Sequence, residues 1–197
     1  MHYRPEIDGL RAVAVVPVIL FHAGFELFRG GFVGVDVFFV ISGYIITSII
    51  IKEKEEGTFR LVNFYERRIR RILPALYLVS IFCIPFAWKF MLPDPLENFG
   101  QSLVATALFS NNILLTFTSG YWDLAVEFKP LIHTWTLAVE EQYYVIFPLF
   151  LLITWSFGKR WIIIIISIVA LMSLSAAQWG INNHPEATFY LLPTRIW

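Results

Sequence analysis

The sequence predicts an all-α membrane protein, a polytopic transmembrane helix bundle of about six helices, on three observations. Hydrophobic residues make up 57% of the 197 positions and charged residues only 15%, and mean hydropathy is +0.66, far above a soluble domain of this length. Six apolar segments of bilayer-crossing length follow one another, near residues 11 to 28, 32 to 51, 72 to 92, 99 to 118, 131 to 156 and 161 to 179. Charge is segregated: Lys52, Lys54, Arg60, Arg67, Arg68, Arg70 and Arg71, seven of the fifteen basic residues, crowd one connection.

Taken in order, the first segment follows Arg4, Glu6, Asp8 and Arg11 and lacks a small-residue cleavage site, which predicts an uncleaved first helix rather than a removed signal peptide. The basic connection after the second segment sets the orientation, because positive loops stay in the cytoplasm. With the N-terminus also inside, alternate loops hold eleven basic residues on the cytoplasmic side, against Arg29, Lys89, Lys159 and Arg160 outside. The expected location is the inner (plasma) membrane, multi-pass, with a cytoplasmic N-terminus. Gln101, Ser102, Ser110, Asn111 and Asn112 dilute the fourth segment. Pro17, Pro74, Pro85 and Pro148 fall within or beside spans, where they kink helices whose freed carbonyls find other partners. The end of the chain turns apolar again from Ala187 to Trp197, which predicts a truncated domain with no soluble part.

Composition excludes several chemistries. Cys83 is the single cysteine, so no disulfide framework or cysteine metal site is available. His2, His22, His133 and His184 lack metal-ligand spacing, and no metal is expected. No Gly-x-Ser-x-Gly elbow or hydrolase-like domain appears. Nucleic acid is not among the expected partners; the lipid bilayer is.

Four constellations carry polar chemistry into apolar surroundings. Arg11 and His22 stand eleven residues apart, which on a helix is ~20° past three turns and ~16 Å along the axis. They share one face, and ionisable groups at bilayer depth face a bundle interior or a water-filled cavity. Asp36 lies a short way into the second segment, among the small residues Gly34, Ser42 and Gly43 that allow close helix approach. It is either a partner for His22 or for a substrate, or an interhelical hydrogen bond. The run Phe64 to Pro74 alternates apolar anchors with Arg67, Arg68, Arg70 and Arg71, suited to bidentate phosphate binding or to topology and anionic lipid contact. In the fifth segment His133, Glu140 and Tyr144 form one polar stripe, the first two ~20° from the same face and ~10 Å apart. The adjacent carboxylates Glu140 and Glu141 are expensive there, and the stripe suits proton relay, general base work or helix pairing.

In this order the residues resemble acyltransferase family 3, integral membrane acyltransferases that include O-acetyltransferases of lipopolysaccharide O-antigen, peptidoglycan and other exported glycans. Four blocks carry the resemblance: Tyr3 to Arg11 with the R-x10-H spacing to His22, Gly34 to Tyr44, Arg67 to Pro74, and His133 to Tyr144. Thr136 is usually Ser in the family and Tyr143 usually Phe. The match covers the whole chain, 1–197, but only the front of the family's ten-helix domain.

The resemblance implies an acyltransferase with no permanently bound cofactor that moves an acyl group, commonly acetyl, from acyl-CoA (acetyl-CoA) to a hydroxyl of a carbohydrate or lipid-linked glycan. It makes Arg11 and His22 the essential pair, with His22 as general base or transient acyl carrier and Asp36 or Glu140 orienting it. Arg68 and Arg71 match the R-x-x-R motif, with Arg67 beside them, as a clamp for coenzyme A phosphates. Asp36, His133 and Tyr144 are supporting or acceptor-binding. Many relatives add an extracytoplasmic SGNH hydrolase-like domain, and no stretch here matches one. The competing readings are a proton-coupled transporter built on His22, Asp36, His133 and Glu140, which internal pseudo-symmetry would favour, and an inactive fragment of the acyltransferase.

Overall fold

The computed structural model describes residues 4–119 and 128–196; His2, Tyr3 and Trp197 lie outside the described residues. Among the described residues eight α-helices run in the order α1 Pro5–His22, α2 Gly34–Glu55, α3 Leu61–Phe90, α4 Pro93–Ala107, α5 Asn111–Thr118, α6 Thr134–Thr154, α7 Lys159–Asn183 and α8 Pro185–Tyr190, and there is no strand. The segments Gly31–Glu55, Leu61–Phe90, Thr134–Phe157 and Lys159–Asn183 are long and apolar enough to cross a membrane. The fold class is that of an all-α membrane bundle.

Three expected spans take other boundaries, and the third starts at Leu61 rather than near residue 72, so that Arg67, Arg68, Arg70 and Arg71 of the expected basic connection lie on α3 itself. The first helix ends at His22 rather than near residue 28, because Gly24 at φ +80 closes a Schellman turn in which Gly24 N–H donates to the Phe21 carbonyl and Phe25 N–H to the Leu20 carbonyl. Its eighteen residues include Glu6, Asp8 and Arg11, and it is not among the four spans that length and composition select. The fourth expected span breaks into α4 and α5 at Phe109, whose φ of +51 lies in the left-handed region.

The chain divides into two compact units, Met1–Arg60 and Leu61–Trp197. In the first, Pro5 opens α1, and Glu6 and Asp8 sit in its first turn, where the helix dipole favours negative charge. A Cβ on Gly34 would stand 2.1 Å from the Ala14 carbonyl oxygen, and one on Gly31 2.1 Å from that of Pro17. Only glycine lets α1 and α2 meet backbone to backbone here. Phe21 packs edge-on to Phe32 at 5.8 Å, and Arg4 Nη1 donates to Tyr44 Oη at 3.0 Å. The first two motif blocks are thus the two sides of one helix pair.

In the second unit, α3 carries Pro74 and Pro85 inside one continuous thirty-residue helix. Of the polar residues that dilute the fourth segment, Ser102 is buried and Asn111 and Asn112 are fully inaccessible, whereas Ser110 is half-buried and Gln101 exposed. Asn111 Nδ2 donates to the Leu131 carbonyl at 3.0 Å and to Thr134 Oγ1 at 2.8 Å. Asn112 Nδ2 donates to the Tyr190 carbonyl at 3.1 Å and Gln142 Nε2 donates to Asn112 Oδ1 at 2.9 Å. These amides tie α5 to α6 and α8, and Gln142 Nε2 also caps the Phe109 carbonyl at 2.9 Å. Along α7 only 6% of the most apolar window is buried, as suits a lipid-facing helix.

Candidate active site

In the first unit α1 is unbroken from Pro5 to His22, so the eleven-residue spacing keeps its helical phase and Arg11 and His22 lie on one helix as expected. Arg11 is partly buried; its guanidinium lies 5.1 Å over the Phe38 ring and 3.9 Å from Asp8, and its Nε is buried without a hydrogen-bond partner. His22 is exposed, and its Nδ1 lies 2.8 Å from the Val18 carbonyl. A carbonyl only accepts, so Nδ1 carries the proton and Nε2 of the neutral ring is the basic nitrogen. This is the tautomer that general base or nucleophilic work at Nε2 requires.

Asp36 is half-buried in the first turn of α2, where the dipole favours its charge. The register sets it between Gly34, which abuts Ala14, and Phe38, which carries Arg11. His22 lies eight residues, ~12 Å of helix, beyond Ala14. Asp36 therefore stands at the Arg11 end of the pair.

In the second unit, α3 and α6 bring Arg68 and Tyr144 together. The guanidinium of Arg68 lies 5.4 Å over the Tyr144 ring and 5.7 Å over that of Phe64, a cation held between two aromatic faces. Tyr144 Oη donates to Glu140 Oε1, the i,i+4 pairing that the helical spacing sets up. Tyr65 Oη donates to the Val145 carbonyl at 3.0 Å and closes α3 onto α6. A pocket of about 480 Å³ opens beside these groups, lined by Arg68, Glu141, Gln142 and Tyr144 among apolar walls that include Leu108 and Phe109.

The arginine cluster is split by the helix. Arg68 turns into the pocket, whereas Arg67 and Arg71 are exposed and Arg70 pairs with Glu66 at 2.7 Å. His133 is an exposed N-cap residue of α6 and does not line the pocket. Glu141 does line it, with Oε1 buried and without a hydrogen-bond partner, whereas the polar stripe legible in the sequence runs through its neighbour Glu140. Adjacent helical positions point ~100° apart, so which of the two faces a cavity depends on what packs against α6. Among the described residues no group of three or more His, Cys, Asp or Glu side chains is placed to hold a metal ion.

The chain is 36% identical to the peptidoglycan O-acetyltransferase OatA of Listeria monocytogenes serovar 1/2a over 98% of this chain and 32% of the relative. It is 34% identical to a putative O-acetyltransferase of Staphylococcus aureus strain MSSA476, over all of this chain and 33% of the relative. The O-acetyltransferase OatA of Staphylococcus aureus strain NCTC 8325 matches at 36% over 87% of this chain and 29% of the relative. The chain thus spans about a third of the length of the curated relatives it matches. No solved structure matches it significantly. A family model described as an acyltransferase domain matches residues 4–195, which takes in all four motif blocks apart from Tyr3, and the chain belongs to acyltransferase family 3.

Proposed function

We propose that this chain is part of a membrane O-acetyltransferase that moves an acetyl group from acetyl-CoA to a hydroxyl of an exported cell-wall glycan, with peptidoglycan the leading candidate acceptor. The observation that carries the chemistry is the His22–Val18 hydrogen bond, which points the Nδ1 proton at the carbonyl and leaves the lone pair on Nε2, on the same helix as Arg11 eleven residues earlier. The names of the most similar relatives support the acceptor class. The charge bias supports a plasma membrane location with the N-terminus and the basic connection in the cytoplasm, where acyl-CoA is found.

In this reading His22 Nε2 removes the proton of the acceptor hydroxyl as its oxygen attacks the thioester carbonyl. The C–S bond then breaks and the thiolate leaves. The alternative at the same atom is attack by Nε2 itself, with the acetyl group passed on from the imidazole. Arg11 donates from its guanidinium to the developing oxyanion or to a donor phosphate. The exposed Arg67 and Arg71 engage the phosphates of coenzyme A, and Arg68 binds the same donor. An SGNH-type domain acting on the far side is the expected partner.

The test is transfer of labelled acetyl from acetyl-CoA to glycan in membranes that carry the full-length protein or its His22→Ala variant. The variant should insert normally and lose transfer by at least the ~10²-fold that a general base supplies. Retained transfer removes His22 from the mechanism.

A further inference from the structure

The pocket in the second unit contains two polar groups with unspent hydrogen-bonding capacity, and the other polar groups on its wall are committed. Tyr144 Oη is given to Glu140, Gln142 Nε2 to Asn112 and the Phe109 carbonyl, and Tyr65 Oη to the Val145 carbonyl. Arg68 makes no hydrogen bond or ion pair with any described residue, although two aromatic rings hold its guanidinium in place. Glu141 Oε1 is buried with no donor. A buried carboxyl oxygen without a donor is costly, and the Arg68 guanidinium beside it keeps uncommitted donors, so a ligand supplying both partners answers both.

We infer that this pocket binds the flexible, amide-bearing thioester arm of the acyl donor, with Glu141 accepting from an amide N–H and Arg68 donating to an amide carbonyl. The inference rests on the acyl-CoA reading above. Three features favour such an arm. Its amides present a donor and an acceptor on one chain, which answers Glu141 and Arg68 together. Its methylenes suit walls made of Ile69, Leu108, Phe109, Val145 and Ile146. The volume of about 480 Å³ falls within the range that encloses a ligand of that size. A phosphate fits poorly, because the Glu141 carboxyl shares the cavity with Arg68. Phosphate contact then belongs to the exposed Arg67 and Arg71, so that one turn of α3 divides the donor between its two faces.

The test is competition against labelled acetyl-CoA bound to the full-length protein in nanodiscs, using pantetheine for the arm and adenosine 3′,5′-bisphosphate for the phosphates. Wild type should release label to either competitor. Glu141→Leu should weaken pantetheine competition about tenfold or more, the effect of losing a hydrogen bond to a charged group, and leave the nucleotide's competition unchanged. Arg71→Ala should do the reverse. Glu141→Gln, which keeps one carbonyl oxygen and the volume, should fall between wild type and Glu141→Leu. If acetyl-CoA binds but pantetheine does not compete, or both Glu141 variants match wild type, the inference is overturned and the donor reading stands. Loss of both competitors in both Glu141 variants makes Glu141 structural and overturns it equally. If wild type binds no acetyl-CoA, the donor reading itself falls.

Discussion

At the scale of single residues the site depends on which polar atoms are already engaged. Tyr144 is buried and its hydroxyl donates a hydrogen bond to Glu140, so Tyr144→Phe removes that donor from the half-buried carboxyl. The expected effect is a loss of about 1–3 kcal/mol, read as a lower thermal midpoint in detergent. Glu140→Gln keeps an acceptor for the tyrosine and should cost less. A Glu140→Gln protein that is stable but inactive would show that charge at this position serves the chemistry; full activity would leave Glu140 as the tyrosine's anchor. The sequence makes the i,i+4 spacing of Glu140 and Tyr144 legible, and the structure joins them. It does not reveal that Glu141 lines the cavity, because that depends on α3 lying across α6, a contact between residues about eighty positions apart. The same limit applies to Asp36, whose level beside Arg11 follows from where Gly34 meets Ala14 rather than from any local pattern.

At the scale of elements, two glycines and two asparagines decide how helices meet. Gly34→Ala places a methyl 2.1 Å from the Ala14 carbonyl oxygen and 2.9 Å from Val18 Cγ2, so α1 and α2 must move apart. Overpacking of this kind costs about 1–3 kcal/mol, and acetyl transfer should fall with it because Val18 also holds the His22 ring. Gly100→Ala in α4, where nothing lies within 4 Å, is the control and should leave the thermal midpoint within error of wild type. Asn112→Ala should cost about 2 kcal/mol or more, since it leaves Gln142 and the Tyr190 carbonyl short of partners in the interior. The double variant with Gln142→Ala should cost less than the sum of the two singles, and strict additivity would refute the coupling. Small residues flanking Asp36 announce close packing from sequence alone. Asn111 and Asn112 instead read there as polar dilution of a span, because their partners Leu131, Gln142 and Tyr190 come from α6, α8 and the chain before them.

At the scale of the whole molecule the number of bilayer crossings follows from how the backbone between α4 and α5 is satisfied, because charge counting gives the same division for either topology. If α4 and α5 cross together as one interrupted span, the basic residues divide eleven inside to four outside. If they enter and return on the same side, Lys159 and Arg160 exchange sides with Lys129 and Arg195, and the division is again eleven to four. Each helix alone is too short to span, α4 with fifteen residues and α5 with eight, or ~22 and ~12 Å. Irregular backbone at membrane depth is tolerated where protein groups satisfy it, and the break at Phe109 meets that condition, its carbonyl taken by Gln142 and its neighbours Asn111 and Asn112 fully buried. The pair should therefore cross as a discontinuous span. A reporter inserted at the Gly57 turn should read cytoplasmic, and one at the Gly158 turn before α7 should read extracytoplasmic. A cytoplasmic signal at both positions would make α4 and α5 a re-entrant pair and move the α6–α7 turn to the donor side. A signal from outside at Gly57 would invert the chain and remove the basis for placing the arginines of α3 where acyl-CoA can reach them.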